Sequence, residues 1–273
     1  MYDLVIVGGG PAGITAGIYA ARKKMNFLLL TKDIGGQAVF SSDIENYTGY
    51  QFITGTELVS KFRTHIEQFG IELRENVPVE EIGKEGDLIF IKTAEEKFQA
   101  KAVIVATGRI PRRLGVAGEE EFKNRGVTYC ATCDAPFFAG RDVAVIGGGN
   151  SAFDAVLQLV KIANRVYVID AAEKIRADSV MVGKASSSGR VEFYNSAKVS
   201  RIYGEKFVEG MEILWAGKKK NVSVQGVFIE IGSLPASDFV KGVERNTAGE
   251  IKVNCKCETN VEGIFSAGDV TDV

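Results

Sequence analysis

The chain opens with the segment YDLVIVGGGPAG, residues 2–13, in which a short apolar run meets a turn rich in glycine. The run from Leu4 to Val7 is typical of a strand buried on both faces of a parallel sheet. A helical pattern follows from about Ile14 to Arg22, and Phe27–Leu30 is a second apolar run. A strand, a glycine turn, a helix and a second strand in this order predict a dinucleotide-binding unit.

The three spaced glycines of this turn have separate tasks in such a unit. Gly8 permits the tight turn, Gly10 lets the backbone approach a pyrophosphate, and Gly13 lets the helix pack on the strand. The helix N-terminus supplies unpaired N–H groups and a partial positive charge to the phosphates. A purely structural glycine turn is the alternative. The acidic residue that usually ends the second strand is absent, because Thr31 and Lys32 stand there.

A second glycine turn lies near the middle of the chain. The pattern Gly147-x-Gly149-x-x-Ala152 follows the apolar strand Asp142–Ile146, and alanine is an accepted third member of the fingerprint. Asp170 ends the next strand, where a carboxylate accepts hydrogen bonds from a ribose 2′-hydroxyl and repels a 2′-phosphate. A solvated strand end is the alternative for Asp170. Two such turns predict an α/β protein with two Rossmann-like, three-layer nucleotide-binding domains, the second inserted into the first.

Pro111 and Gly232 lie near the expected boundaries between these domains. The sequence predicts a first domain of residues 1–112 and 235–273 and an inserted domain of residues 113–234. Amphipathic spacing predicts a helix over 54–69, and alternation predicts a small antiparallel sheet over 71–104. The other expected elements are a strand at 102–105, a helix at 153–163, strands near 165–169, 191–194, 199–203, 211–215 and 227–231, and a hairpin cap at Lys218–Lys220. The segments 251–253 and 263–269 are expected to return the chain to the first domain.

Two of the four cysteines form the pattern Cys130-Ala131-Thr132-Cys133, which Asp134 follows. This spacing points to redox or metal chemistry, and a helix start activates such thiols. Half of a zinc site is the alternative, although its remaining ligands would have to come from distant Cys255 and Cys257. Those two cysteines are expected to share one face of a strand and to stay unpaired. Asp134 is either a proton donor or a helix cap.

Composition narrows the function classes. The chain has 273 residues, 25% of them charged, and a net charge of −2, so no basic field favours nucleic acid. No signal peptide and no membrane-length apolar stretch is evident, so a cytoplasmic protein without a membrane partner is expected. His65 is the only histidine and lies in the amphipathic segment 54–69. Hydrolases that depend on a catalytic histidine are therefore disfavoured.

Together these motifs resemble the low-molecular-weight, bacterial-type thioredoxin reductases of the FAD-dependent pyridine nucleotide-disulfide oxidoreductase family. The resemblance runs from end to end of the chain. It implies FAD as a cofactor and assigns its binding to Gly8, Gly10, Pro11, Ala12, Gly13, Thr31, Gly35, Gly36, Gln37, Asn46, Thr107, Gly108, Gly268 and Asp269. It assigns a pyridine nucleotide to Gly147, Gly149, Asn150, Ser151, Ala152, Asp170 and Arg176.

The resemblance also implies an electron path from nicotinamide to flavin, to the cysteine pair, and on to thioredoxin or a thioredoxin-like protein. Cys133 would face the flavin, Cys130 would exchange with the partner disulfide, and Asp134 would handle the proton. A homodimer and a rotation between the domains are implied as well.

Two departures from the family pattern bear on function. NADPH-dependent members carry His-Arg-Arg-x-x-x-Arg after the second nucleotide strand, whereas the matching stretch here, 170–176, keeps only Arg176. Loss of that phosphate clamp favours NADH over NADPH as donor. The chain also stops at Val273, before the last helix of the family, which is expected to weaken FAD binding.

Three other functions remain open at this point. A ferredoxin-driven flavin thioredoxin reductase would not use NAD(P)H, and a redox sensor would bind FAD without turnover. The flavoprotein that feeds a peroxide-reducing system shares the same core. That protein usually carries an N-terminal domain with its own Cys-x-x-Cys, so a chain that starts at the FAD strand is expected to differ from it.

Overall fold

The computed structural model describes residues 1–41, 44–45 and 47–273. The chain forms two compact units. We call Met1–Ile110 with Leu234–Val273 the outer unit, and Pro111–Ser233 the inserted unit. Among the described residues, no helix is both long enough and apolar enough to cross a membrane.

Within the described part of the chain, five α-helices and seventeen strands make up the two units. The helices are α1 (Pro11–Arg22), α2 (Gly55–Gln68), α3 (Ala131–Asp134), α4 (Asn150–Leu159) and α5 (Ser179–Ser187). The strands are β1 (Tyr2–Gly9), β2 (Phe27–Ile34), β3 (Leu73–Arg74), β4 (Val79–Glu85), β5 (Leu88–Thr93), β6 (Lys97–Val105), β7 (Arg109–Pro111), β8 (Val127–Thr128), β9 (Asp142–Ile146), β10 (Arg165–Ile169), β11 (Val191–Tyr194), β12 (Lys198–Gly204), β13 (Val208–Trp215), β14 (Lys218–Val222), β15 (Gly226–Ile229), β16 (Ser233–Pro235) and β17 (Ile264–Ser266).

A seven-stranded sheet organises the outer unit, in the order β3-β2-β1-β6-β5-β4, with β17 also paired to β6. β1 runs parallel to β2 and β6, whereas β5 runs antiparallel to both β4 and β6. The antiparallel pairing predicted over 71–104 is confirmed for β4, β5 and β6, but these strands extend the parallel sheet and do not form a small sheet of their own. β6 alternates buried and exposed residues in its first half and becomes apolar from Ala102 onward. The first half of β6 thus belongs to the antiparallel part of the sheet, beside β5, and its second half belongs to the parallel core, beside β1.

The helix predicted over 54–69 is confirmed as α2. Its start is fixed by a capping box, in which Thr54 and Glu57 satisfy each other's backbone N–H groups. Leu58 and Ile66 are buried on the face that packs inward. His65 is exposed on this helix, as a surface histidine would be.

Five parallel strands organise the inserted unit, in the order β11-β10-β9-β15-β8. Strands β12, β13 and β14 form a separate antiparallel sheet. α4 begins directly at the glycine turn, three residues before the predicted start, because Gly149 is its N-cap. The large side chains of Phe153, Leu159 and Phe228 are fully buried between helix and sheet. The predicted α/β class with two Rossmann-like units is confirmed.

Two local predictions, the hairpin cap at Lys218–Lys220 and the strand at Cys255 and Cys257, were wrong. In both cases the position of a tight turn differs from the prediction. Lys218–Lys220 lies on β14, and the hairpin turns instead at Ala216 and Gly217, whose φ values are 49° and 74°. Cys255 lies in a turn rather than on a strand. The turn is closed by the Cys257 N–H, which donates to the Asn254 carbonyl at 2.9 Å. Both of these thiols are exposed and free.

Candidate active site

The first glycine turn has the close approaches that a dinucleotide fingerprint requires. Gly8 has a φ of +119°, and a Cβ there would lie 2.2 Å from the Ala106 carbonyl oxygen. A Cβ on Gly13 would lie 1.9 Å from the Gly8 carbonyl oxygen. A Cβ on Gly10, by contrast, would meet no atom within 4 Å. Gly10 therefore faces open space at the start of α1, where no side chain caps the free N–H groups.

A second glycine pair packs against this turn. The Gly35 N–H donates to the Gly9 carbonyl at 2.7 Å, and a Cβ on Gly36 would lie 3.3 Å from the Gly10 Cα. Thr31 is buried beside them, and its hydroxyl donates to the Asp33 carbonyl at 2.5 Å. The neighbouring Gln37, like Pro11, is exposed. Where a ribose-binding carboxylate would usually stand, this chain thus has the hydroxyl group of Thr31, which is already hydrogen-bonded to its own strand.

The end of β6 and the residues after β17 complete this edge of the outer unit. The Ala267 N–H donates to the Val105 carbonyl at 3.0 Å, and a Cβ on Gly268 would lie 2.9 Å from the Ala12 Cβ. Thr107 donates its hydroxyl to the Ala236 carbonyl at 2.6 Å, and Gly108 adopts a φ of +61°. Asp269 is exposed. Asn46, which the sequence also assigned to FAD, lies outside the described residues.

The second glycine turn is built in the same way but against a carboxylate. Gly147 has a φ of +133°, and a Cβ on Gly148 would lie 1.9 Å from Asp170 Oδ2. A Cβ on Gly149 would meet no atom within 4 Å. Asp170 is only 5% exposed, and its Oδ2 has no hydrogen-bond partner among the described residues. A buried acceptor without a donor is costly, so this oxygen suits a ligand hydroxyl better than a solvated strand end.

The remaining predicted nucleotide residues surround the start of α4. The Arg176 N–H donates to the Gly148 carbonyl at 2.8 Å, which places the 171–177 loop over the turn. The Arg176 guanidinium is exposed and pairs with no residue in the part of the chain that the structure describes. Asn150 accepts from the Asp178 N–H at 2.9 Å, Ser151 is exposed, and Ala152 is fully buried.

The cysteine pair forms a disulfide, Cys130–Cys133, with the two Cα atoms 5.4 Å apart. Cys130 is the N-cap of the short helix α3, and its Sγ accepts from the Cys133 N–H at 3.1 Å. Cys133 is exposed. The described residues contain no group of three or more potential metal ligands. The geometry is thus that of a disulfide at a helix start with its second cysteine exposed.

Thr128, which the sequence reasoning missed, links Asp134 to this disulfide. Its buried hydroxyl donates to Asp134 Oδ2 and accepts from the Cys130 N–H at 3.1 Å. No other hydrogen bond to the Asp134 carboxylate occurs within the described residues. One oxygen of the Asp134 carboxylate is therefore fixed, whereas the other makes no hydrogen bond within the described residues. The only sign of this contact in the sequence was a residue with a hydroxyl group two positions before the first cysteine.

Tyr129 anchors the segment that leads into the disulfide. Its hydroxyl donates to Glu119 Oε1 at 2.5 Å, and Glu119 also accepts from the Leu114 and Gly115 N–H groups at 2.8 and 2.6 Å. Burial and the Glu119 carboxylate raise the pKa of Tyr129. Burial opposes ionisation of Glu119, but these hydrogen bonds outweigh it and lower the pKa of its carboxyl group. The charge-assisted hydrogen bond from Tyr129 to the buried Glu119 thus fixes the backbone segment that leads into Cys130.

Comparison with known proteins decides the family. The family described as pyridine nucleotide-disulphide oxidoreductase matches residues 2–273. The chain belongs to this family.

Relatives within this family differ in the reaction that their names give. The chain is 39% identical over 275 residues to an alkyl hydroperoxide reductase subunit of Staphylococcus aureus, covering 99% of this chain and 54% of that protein. It is 38% identical over 275 residues to an NADH dehydrogenase of Bacillus subtilis, with the same coverage. Thioredoxin reductase of Lactococcus lactis superposes with a TM-score of 0.87 at 36% identity, covering 100% of this chain and 91% of that one. The chain spans about half the length of the curated relatives that it matches.

Membership of the pyridine nucleotide-disulphide oxidoreductase family implies FAD and a pyridine nucleotide, and both glycine turns fit such groups. In each turn the spaced glycine at the helix N-terminus, Gly10 or Gly149, faces open space. Phosphate oxygens can therefore reach the free N–H groups of α1 and α4. In the second turn the unpartnered Asp170 oxygen suits a ribose hydroxyl, whereas the outer unit offers no carboxylate at the equivalent Thr31.

Proposed function

We propose that this protein is an FAD-dependent disulfide reductase that takes electrons from NADH and reduces thioredoxin or a thioredoxin-like protein. The observation that carries the proposal is the exposed Cys130–Cys133 disulfide at a helix start, in the same unit as a dinucleotide turn. We propose a cytoplasmic location, since the reducing cytosol maintains protein thiols. We also propose a homodimer, which the resemblance to bacterial-type thioredoxin reductases implies.

The outer unit is proposed to hold FAD. Gly8 and Gly13 allow the close turn, Gly10 opens it to the pyrophosphate, and Gly35–Gly36 packs beside it. The proposed contact set is Gly8, Gly10, Pro11, Ala12, Gly13, Thr31, Gly35, Gly36, Gln37, Asn46, Thr107, Gly108, Gly268 and Asp269. When bound, FAD would supply two-electron transfer between a nicotinamide and a disulfide.

The inserted unit is proposed to hold NADH in preference to NADPH. Asp170 Oδ2 can accept a hydrogen bond from a free 2′-hydroxyl, whereas a 2′-phosphate would meet a buried negative charge. Arg176 is the one cation of the family pattern that remains, and its side chain is exposed. A single flexible guanidinium offsets only part of that repulsion.

The cysteine pair is proposed to pass electrons on by thiol–disulfide exchange. Two electrons and two protons convert the Cys130–Cys133 disulfide to two thiols. The Cys130 thiolate then attacks the partner disulfide to form a mixed disulfide, which Cys133 resolves, releasing the partner dithiol. The Cys133 N–H aimed at Cys130 Sγ supports Cys130 as the attacking thiolate. Asp134, held by Thr128, is proposed to carry the proton.

A second candidate function has its own support. The relative in Staphylococcus aureus is named as part of alkyl hydroperoxide reductase. A flavoprotein of that kind would use the same disulfide to feed a peroxide-reducing partner instead of free thioredoxin. The start of the chain at the FAD strand, which was expected to count against this candidate, does not separate the two, because the match spans only 54% of the relative.

The direct test uses the FAD-loaded protein with NADH and oxidised thioredoxin, and measures NADH consumption and new thioredoxin thiols. Cys133→Ser should keep FAD and lose turnover by at least about a hundredfold. Cys255→Ser is the matched control, because that exposed thiol lies outside the disulfide and should not matter. Normal turnover in Cys133→Ser would overturn the proposal. Turnover only with a peroxide-reducing partner would select the second candidate.

A further inference from the structure

Glu230 stands at the carboxyl end of β15, directly beside the second glycine turn. β15 runs parallel to β9 with Ile229 opposite Ile146, so the next residues, Glu230 and Gly147, face each other. The Glu230 N–H donates to the Ile146 carbonyl at 2.8 Å. A Cβ on Gly147 would lie 2.2 Å from the Glu230 carbonyl oxygen. Glu230 is thus part of the rim on which a dinucleotide bound at this turn would lie.

The strand order places Glu230 on a particular side of that dinucleotide. From β9 the chain crosses through α4 to β10 on one side, while β15 and β8 lie on the other. Dinucleotides lie across the crevice where the strand order reverses, with the pyrophosphate at the glycine turn. Asp170, at the end of β10, would face the ribose that carries the 2′-hydroxyl. The nicotinamide half of a bound dinucleotide would then lie on the β15 side, toward Glu230.

The chemistry of Glu230 is unusual for a strand end. Its carboxylate makes no hydrogen bond or ion pair with any residue that the structure describes. Burial, and then the negative charge of Asp154 on α4, raise the pKa of Glu230 to about 7. Burial also raises the pKa of Asp154. The other acids at this edge, Asp134 and Asp170, are not among the causes of the raised pKa of Glu230. The glycine turn and β8 carry no charged side chain. Glu230 therefore exists in both protonation states near neutral pH.

We propose that Glu230 discriminates between the oxidised and the reduced nicotinamide, and that its ionised form favours the oxidised ring. This inference rests on the proposed binding of a pyridine nucleotide at the second turn. The oxidised ring carries a positive charge and the reduced ring is neutral, so a nearby carboxylate attracts only the oxidised one. The protonated carboxyl group lacks that preference. Rising pH should therefore increase retention of NAD⁺ relative to NADH.

The experiment measures equilibrium binding to the oxidised, FAD-loaded protein by calorimetry. The two ligands are NAD⁺ and tetrahydro-NADH, whose reduced ring is neutral but cannot transfer hydride. In the wild-type protein, the Kd of NAD⁺ divided by that of tetrahydro-NADH should fall about tenfold between about pH 6 and about pH 8.5. In Glu230→Gln, an isosteric and uncharged variant, the ratio should change less than about twofold over the same range.

A second variant and two opposing outcomes complete the test. Asp154→Asn removes the neighbouring charge, so the transition should persist but move to lower pH. An equal pH dependence in the wild type and Glu230→Gln would overturn the inference, because the titrating group would then be another one. Binding of neither ligand at any pH would overturn the pyridine nucleotide site itself, and this inference with it.

Discussion

Thr128 illustrates how a single buried hydroxyl can organise a redox site. It donates to one oxygen of Asp134 and accepts from the N–H of Cys130, so one side chain positions both the proposed proton carrier and the first cysteine. We expect Thr128→Val to lower reductase turnover about tenfold to a hundredfold and to alter its pH profile, because Asp134 loses its fixed orientation.

The conservative variant Thr128→Ser is the control, since it keeps the hydroxyl and should restore both rate and profile. Steady-state turnover measured across pH decides the matter. Thr128→Val with a wild-type pH profile would show that the hydroxyl only stabilises the fold.

Asp170 should set the choice of nucleotide. NADH should bind tighter than NADPH in the wild type. Asp170→Ala should weaken NADH about tenfold to a hundredfold but should bind NADPH at least as tightly as the wild type does, because the repulsion of the 2′-phosphate is removed. The neighbouring carboxylate Glu173 is exposed, so Glu173→Ala is a matched control that should leave the preference unchanged. Steady-state kinetics with both nucleotides provide the measurement. Tighter use of NADPH by the wild type would reverse our interpretation of Asp170.

Phe137 is a candidate contact for the protein substrate. It is 74% exposed and follows Cys133 by four residues, and such an exposed aromatic side chain is typical of a binding surface. Phe137→Ala should raise the KM for thioredoxin about fivefold or more and leave flavin reduction by NADH unchanged. Phe207, 63% exposed on another part of the same unit, is the control position. An equal KM in both alanine variants would remove Phe137 from the docking surface.

At the scale of elements, the two glycine turns can be tested against each other. Gly10 and Gly149 are both N-caps with extended backbone, and a Cβ at either meets open space, so valine should fold at both positions. Gly10→Val should yield a folded but colourless protein, since the methyl groups occupy the approach of the pyrophosphate. Gly149→Val should stay yellow but lose reduction by NADH. Absorbance and anaerobic reduction measure both, and a yellow Gly10→Val would reassign the sites.

The elements also show how far the sequence could lead. The apolar strands, the two glycine turns and the Cys-x-x-Cys helix follow from local chemistry, so they were predictable. The outer sheet was not, because the pairing of β6 with β1 is a long-range choice that alternation alone does not determine. Lys218–Lys220 lies on β14 since the turn falls at Ala216–Gly217 instead. Glu230 escaped notice because its significance comes from burial and from strand order, neither of which is local.

At the scale of the whole molecule, Glu230 ties stability to pH. Its pKa in the folded protein is about 7 against an ordinary value of 4.5, so folding favours the protonated form. That contribution is fully present below about pH 4.5 and is lost as pH rises through about 7. Without nucleotide, Glu230→Gln should therefore gain stability over the wild type as pH rises, reaching at most about 3 kcal/mol near pH 8.5. Denaturant unfolding at several pH values measures this, and a difference that does not vary with pH would contradict it.

The whole chain combines two dinucleotide turns and one surface disulfide, and the central claim is that electrons run from NADH through FAD to Cys130–Cys133. Anaerobic titration of the FAD-loaded protein tests it most directly. NADH, NADPH and reduced ferredoxin are added separately while flavin bleaching and free thiols are followed. We predict that NADH bleaches the flavin, that NADPH does so poorly, and that two new thiols appear and vanish again when oxidised thioredoxin is added. Bleaching by ferredoxin alone, or bleaching by NADH without new thiols, would contradict the account.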